Sequence, residues 1–287
     1  MTIYNRNGDK LEYDQSQDEF LKHLYGSLAG RSLLKVLTQP VITKLGGAFM
    51  NSSLSKGQIN SFVEKNNIDL NLYEDREYNS YNDFFTRKIK DGVRKIDSDP
   101  EAFIAPCDSK LTVYPITESL QLKVKNSVYT LEDLLMSPAL ADEYKGGLCL
   151  IFRLTVDDYH HYHYIDDGTA GKEHYIKGIF HTVNPIASEY YPIYKTNSRA
   201  YTVLHTKHFD DVVQMEVGAM MVGKITNLPK KSFKRGEEKG YFEFGGSTVI
   251  LLVKKDIVDI DEDILKHSSN EDEVRVLMGE RIGTLMK

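Results

Sequence analysis

The chain has 287 residues, 41% hydrophobic and 27% charged, with 36 basic against 42 acidic side chains and a net charge of -6. That composition excludes wholesale disorder and allows one large core, or one core with a small subdomain. The acidic balance gives no case for nucleic acid as a partner. The two cysteines, Cys107 and Cys149, cannot staple a disulfide-rich secreted domain, so a reducing, cytoplasmic compartment is the expectation.

Residues 1–15 include Asp9, Glu12 and Asp14 and no apolar run, so neither a secretory signal nor an acid-poor transit peptide is expected there. No window approaches the roughly 18 consecutive apolar residues of a spanning helix. Ser16-x-x-Glu19 has the form of a capping box, and Phe20, Leu21, Leu24, Tyr25 and Leu28 follow near helical spacing. A second helix is expected through Leu33, Leu34 and Leu37, broken or restarted at Pro40 and continued through Val41, Ile42 and Leu45. Ser55-x-x-Gln58 is the expected cap of a third, which carries Ile59, Phe62 and Val63. From Phe20 to Val63 there is no Asp or Glu, yet Lys22, Arg31, Lys35, Lys44 and Lys56 are present. Most amphipathic helices simply pack on a core. Basic, acid-free ones also suit an anionic membrane surface, and both readings stand.

After about residue 95 the texture changes to short runs rich in β-branched and aromatic residues. "LTVYPI", "LQLKV", "LCLIFRLTV", "YIKGIFHTV", "AYTVLHT", "VVQMEVGAMMV" and "YFEFGGSTVILLV" are expected strands, with "TLEDLLMSPALADEY" a helical exception. No repeat period and no low-complexity linker appears. The expected fold class is therefore α+β: an N-terminal helical region, residues 1–80, on a mainly antiparallel β domain, residues 81–287.

Two stretches carry chemistry. "DDYHHYHYIDDG" holds three of the nine histidines within four positions. On a strand His161 and His163 share a face while His160 points away, and Asp157 or Asp158 can cap a bend beside them. Histidine moves protons near neutral pH and binds zinc. In "FEFGGSTVILL", glycine sits among good sheet residues, where it costs backbone entropy and packs nothing. Two readings fit these stretches. His161 and His163 can be paired zinc ligands of a hydrolase, completed by Asp108 or a distant histidine. Alternatively, a histidine is the base for Ser247 and an acid such as Asp108 in "APCDSK" orients it. The metal reading leaves the glycines beside Ser247 unexplained.

The chain resembles the phosphatidylserine decarboxylases, which make a pyruvoyl cofactor by cleaving themselves before a serine. The motifs that carry the resemblance are, in order, "YNDFFTRKIKDGVRKID", "APCDSK", "YTLEDLL", "DDYHHYH", "HTVNP", "TNSRA", "VGAMMVGKI" and "FKRGEEKGYFEFGGSTVI". The resemblance implies cleavage between Gly246 and Ser247, with Gly246 free to take a conformation in which the Ser247 hydroxyl meets its carbonyl. It implies His163 as the base for Ser247, Asp108 as its orienting partner, His160 in the decarboxylation step and Thr248 as an auxiliary hydroxyl. Asn197 and Arg199 are implied as contacts for substrate phosphate or carboxylate. The implied cofactor is a pyruvoyl group derived from Ser247, with no metal and no pyridoxal phosphate. It would convert phosphatidylserine to phosphatidylethanolamine and carbon dioxide through a Schiff base. The implied partners are phosphatidylserine, an anionic membrane surface met peripherally from the cytoplasmic side, and the associated large and small chains of the cleaved precursor. A homo-oligomer is left open. Three positions depart from the commoner family pattern: Ser109 replaces a glycine, His161 an arginine, and "TNSR" the tripeptide "NER". A zinc hydrolase and a non-processing, anionic-lipid-binding relative stand as the alternatives.

Overall fold

The computed structural model describes residues 2–12, 16–37, 39–124, 127–179, 181–182, 187, 190–219, 224–244 and 247–287. Two short strands come first, β1 (Ile3–Tyr4) and β2 (Lys10–Leu11). They fall in the region expected to be helical, yet they join the main sheet of the β domain. Helices α1 (Ser16–Gly26), α2 (Leu28–Leu37), α3 (Pro40–Met50) and α4 (Ile59–Lys65) follow. Pro40 opens α3, where a missing N–H breaks no intrahelical bond. The Ser16 cap concerns a side chain outside those described. The cap expected at Ser55 is not one: α4 starts after Gln58, which makes no side-chain cap bond. Ser55 is instead buried in a 3-10 turn, Ser53–Gln58, and its hydroxyl accepts the Tyr81 N–H at 2.9 Å. Leu24, Tyr25 and Leu34 turn inward, whereas Leu28 is 78% and Leu54 80% exposed, and Val41, Leu45 and Phe49 are exposed as well.

A short helix, α5 (Tyr81–Phe85), is capped by the Ser80 hydroxyl on the Asp83 N–H and leads into the β domain. There β3 (Ala102–Ile104) and β4 (Ser109–Pro115) precede a hairpin of β5 (Gln121–Val124) and β6 (Ser127–Thr130). Helices α6 (Leu131–Leu135) and α7 (Pro138–Asp142) occupy the expected helical stretch. Next come β7 (Leu148–Leu154), β8 (His161–His163), β9 (Gly168–Ala170) and β10 (His174–Ile176). The strand expected over "YIKGIFHTV" ends early, at Ile176; Ile179 makes only an isolated bridge to Asn197. Helix α8 (Ile193–Thr196) precedes β11 (Arg199–Thr206), β12 (Asp211–Val217) and β13 (Ile225–Asn227). Strands β14 (Ser232–Phe233), β15 (Glu238–Phe242) and β16 (Ser247–Val253) then bracket the glycine pair. The expected elements stop there, but the chain adds β17 (Val258–Ile260), α9 (Glu262–Ser269), β18 (Glu273–Val276) and β19 (Arg281–Leu285).

The main sheet runs β14-β9-β11-β12-β16-β7-β4-β18-β1-β2, antiparallel except where β1 lies beside β18, with β10 on β11 off this path. A smaller sheet, β13-β15-β8, carries the histidines. Its Tyr162 and Phe242 share a core with Leu111, Leu150, Phe152, Val249 and Leu251. Tyr114, Ile151, Met215, Ile250 and Leu252 form a second core on the other face. Every residue of β16 is buried, which is why "TVILLV" reads as one apolar run rather than an alternation.

Within this double-sided core lies a buried ion pair. Arg153 of β7 donates Nε and Nη2 to Glu273 of β18 at 2.7 and 2.5 Å, and Arg153 is the register partner of Thr248. Removing one partner of such a pair leaves an uncompensated buried charge, at about 3–5 kcal/mol. Glu273→Ala is expected to lower unfolding free energy by that order, while Arg153→Met with Glu273→Leu recovers most of it. Urea titration checks this, and equal losses in the single and double variants contradict it.

Candidate active site

The bend before β8 is built by one carboxylate. Asp158 Oδ2 accepts the Thr155 N–H and the Lys110 ammonium, both at 2.7 Å. The Asp158 carbonyl then accepts from His160 Nδ1 at 2.9 Å. A carbonyl can only accept, so Nδ1 carries the proton of the neutral ring and Nε2 is the lone-pair nitrogen. That Nε2 is buried with no partner among the described residues. Burial, with the charge of Arg87 added, pulls His160 down to about 3, so its ring is neutral at physiological pH. The Phe85 ring lies 4.0 Å from it, centroid to centroid.

His161 and His163 share the other face of β8, opposite the core-facing Tyr162. Both ring nitrogens of His161 face acceptors: Nδ1 meets Glu238 Oε1 at 2.7 Å and Nε2 the Thr86 carbonyl at 3.2 Å. Burial alone would raise Glu238, but the hydrogen bond and charge of His161 outweigh it and hold that carboxylate at about 2. Tyr159 and Tyr241 stack on the His161 ring, with centroids 4.6 and 5.2 Å away. The departure from arginine therefore gives a ring wedged between side chains. His163 donates its backbone N–H to the Pro106 carbonyl at 2.8 Å, while its Nδ1 is buried without a partner. Burial, then the charge of His161, lowers His163 to about 4, so it too is neutral.

Asp108 is not hydrogen-bonded to His163 here. Its oxygens accept Arg94 Nε at 3.0 Å, Arg94 Nη2 at 2.5 Å and the Met278 N–H at 2.8 Å. It acts on His163 through charge alone, raising its proton affinity. Ser109 opens β4 opposite Val276 and is not among the residues with positive φ, so serine in place of glycine strains nothing.

Ser247 begins β16 opposite Leu154, and Thr248 sits between Arg153 and Val217. Successive strand residues face opposite sides, so Ser247 shares the side of Val249 and Leu251 while Thr248 shares that of Ile250 and Leu252. Both hydroxyl oxygens are buried and without a partner among the described residues. An unmade bond of this kind costs about 1–3 kcal/mol, and such groups in a native core mark a site of use or strain. Gly245 and Gly246 lie outside the described residues, but the chain on either side of them is held. Phe242 N–H donates to the His160 carbonyl at 2.9 Å, and Phe244 N–H to Asn82 Oδ1 at 2.8 Å. Phe244 also meets Tyr81 and Phe85 edge to face. Asn82, Phe85 and Arg94 are thus site residues that motif reading passed over. All three stand inside "YNDFFTRKIKDGVRKID", and only the fold shows what they touch.

Asn197 and Arg199, the expected substrate contacts, are both buried and bonded to backbone. Asn197 is fully buried, its amide bonded to the backbone of His181 and Gly218. The Arg199 guanidinium donates to the carbonyls of Leu134, Lys195, Asn197 and Asp133, and burial lowers it to about 10. Their polar atoms hold loops together and leave no fork for a phosphate. The zinc alternative gains no ligand set: among the described residues no group of three or more His, Cys, Asp or Glu side chains is disposed to hold a metal.

The family model described as phosphatidylserine decarboxylase matches residues 81–284. A relative from Clostridium acetobutylicum, "Phosphatidylserine decarboxylase proenzyme 2", is 47% identical over 99% of this chain and 98% of its own. The "Phosphatidylserine decarboxylase proenzyme" of Clostridium tetani is 42% identical over 98% and 97%, and that of Clostridium novyi 38% identical over 98% of each. Identity of that extent over nearly full length, together with the family match over residues 81–284, makes this chain a member of the phosphatidylserine decarboxylase family, an enzyme of the carboxy-lyase class.

Proposed function

We propose that this chain cleaves itself between Gly246 and Ser247 and then decarboxylates phosphatidylserine to phosphatidylethanolamine at a membrane surface. The observation that carries the reading is the buried Ser247 hydroxyl, unpartnered among the described residues, directly after a glycine pair whose upstream flank bonds through the Phe242 N–H to the His160 carbonyl, with the His160 and His163 rings both neutral. The relatives' names, which call them proenzymes, agree with it.

In this reading His163 takes the hydroxyl proton as Ser247 Oγ bonds to the Gly246 carbonyl carbon, then gives it to the residue 247 nitrogen as the peptide C–N bond breaks, turning amide into ester and freeing an amine. Loss of the α-proton of residue 247 expels Gly246 as a carboxylate, and hydrolysis of the resulting dehydroalanine releases ammonia and leaves a ketone. A neutral imidazole is what the first transfer requires, since an imidazolium has no lone pair to receive a proton. Asp108, held by Arg94, favours the charge that then develops on His163. The pyruvoyl group so formed supplies an electron sink for the pair released as carbon dioxide leaves. His160, whose Nε2 has no partner among the described residues, holds and returns a proton in this reading, with Phe85 packed on its ring and Phe244 on Phe85.

Membrane contact is supported by the exposed Leu28, Val41, Leu45, Phe49 and Leu54 on a stretch whose ionisable side chains are otherwise basic. No helix among the described residues is long and apolar enough to cross a membrane.

Two outcomes are expected. Wild type resolves by intact mass into two chains, the shorter blocked at its amino end, while Ser247→Ala remains one chain and releases no carbon dioxide; normal cleavage in that variant refutes the assignment. Because the base form of His163 survives down to about 4, the cleavage rate of freshly refolded precursor is expected to stay flat from about pH 8 to about 5.5. An unshifted imidazole, titrating near 6.5, would lose roughly tenfold over that range, and a decline of that size would point to a different base.

A further inference from the structure

Most buried guanidinium groups here have their charge answered. Arg153 faces Glu273, Arg94 faces Asp108, and Arg199 has four backbone carbonyls. Arg87, two residues beyond α5, differs. It is 1% exposed, and among the described residues its Nε has no hydrogen-bond partner and it forms no ion pair. Nη1 reaches the Phe84 carbonyl at 3.5 Å and Nη2 the Tyr73 hydroxyl at 3.2 Å. The rings of Tyr73 and Phe84 lie 4.3 and 4.7 Å from the guanidinium carbon, which attracts the cation but supplies no net negative charge. Its field also reaches Tyr78, Tyr81 and His160. Both tyrosines are raised, chiefly by burial, and His160 is lowered, so none is an anion at neutral pH. The nearest acid on α5, Asp83, is paired with Arg76. Arginine cannot shed its proton, so a cation is held out of water with open donors and no counter-charge.

We propose that Arg87 is the anion seat of the substrate pocket and grips the phosphodiester of the lipid headgroup, an inference that rests on the decarboxylase reading above. Location supports it: Phe85 packs on His160, Phe62 of α4 packs on Phe84 and Tyr81, and the Arg87 guanidinium lies over the Phe84 ring while its charge reaches His160. Chemistry selects which anion. A carboxylate held by a permanent cation is stabilised before reaction and loses that stabilisation as it departs uncharged, which opposes decarboxylation. The phosphodiester keeps its charge throughout, so gripping it binds ground and transition states alike. Such uniform binding sets KM and leaves kcat alone.

The test compares wild type, Arg87→Met and Arg87→Lys for self-cleavage and for carbon dioxide release from phosphatidylserine in mixed micelles. Cleavage is expected to proceed in all three. In Arg87→Met, KM should rise roughly 10- to 100-fold with kcat within about twofold, the size of a lost charge-assisted contact, and Arg87→Lys should fall between. Glycerophosphoserine should inhibit wild type more strongly than inorganic phosphate does, and Arg87→Met should lose that inhibition. An unchanged KM, or a fall in kcat alone, overturns the proposal. Should Arg87→Met fail to fold, Arg87→Lys and calorimetric titration of Ser247→Ala protein with glycerophosphoserine and with inorganic phosphate decide. Binding of neither overturns the site, and binding of phosphate alone overturns the headgroup assignment. That titration needs no cleavage, so binding retained there while wild type itself fails to process counts against the decarboxylase reading and not against Arg87.

Discussion

Burial of β16 on both faces is the constraint on which the rest depends. Flanked by β12 and β7 and covered above and below by the two cores, this strand cannot slip in register without throwing every side chain to the wrong side. Its first residue is therefore fixed as firmly as its last. Ser247 is fully buried, and among the described residues no group satisfies its hydroxyl. Upstream, α5 holds the approach through Asn82, Tyr81 and Phe85. Two well-held segments thus meet at a pair of glycines, the residues that best tolerate unusual backbone conformations.

Low polarity does a second service. The same desolvation that leaves hydroxyls unsatisfied also strips protons from His160 and His163. The polar groups around them are tied to one another rather than to the rings: Lys110 to Asp158, Arg94 to Asp108, and Glu238 to His161. The result is a pair of neutral imidazoles inside a frame of fixed charges, a state that an exposed histidine would hold less completely at neutral pH.

How far the sequence foretells this follows from what local patterns encode. The α+β class, the break at Pro40 and the strand after the glycines are written in periodicity and in single residues with rigid demands. The C-terminal strands β18 and β19 were harder to see, because "EVRV" and "RIGTL" are short and interrupted by charge or glycine. Ser55 failed as a cap because its hydroxyl is drawn to Met50, Ser52 and Tyr81, contacts that a window of four residues does not contain. The surroundings of Arg199 were hidden for a similar reason: a guanidinium reads alike in sequence whether it faces solvent or four carbonyls. Ser247, His160 and His163 stood out through motif order, whereas the link of Asp108 to Arg94 and Met278 depends on segments far apart in the chain.

The pairing of β1 with β18 has a mechanical meaning. Residues at the very start of the polypeptide zip to ones near its finish, and β16, β18 and β19 each bond to strands that precede the glycine pair. A nick ahead of Ser247 would leave the downstream fragment stitched into the body at three separate seams. Neither piece could diffuse away without tearing the sheets apart, so the severed protein would tumble and migrate as a single particle until denaturant unpicked it.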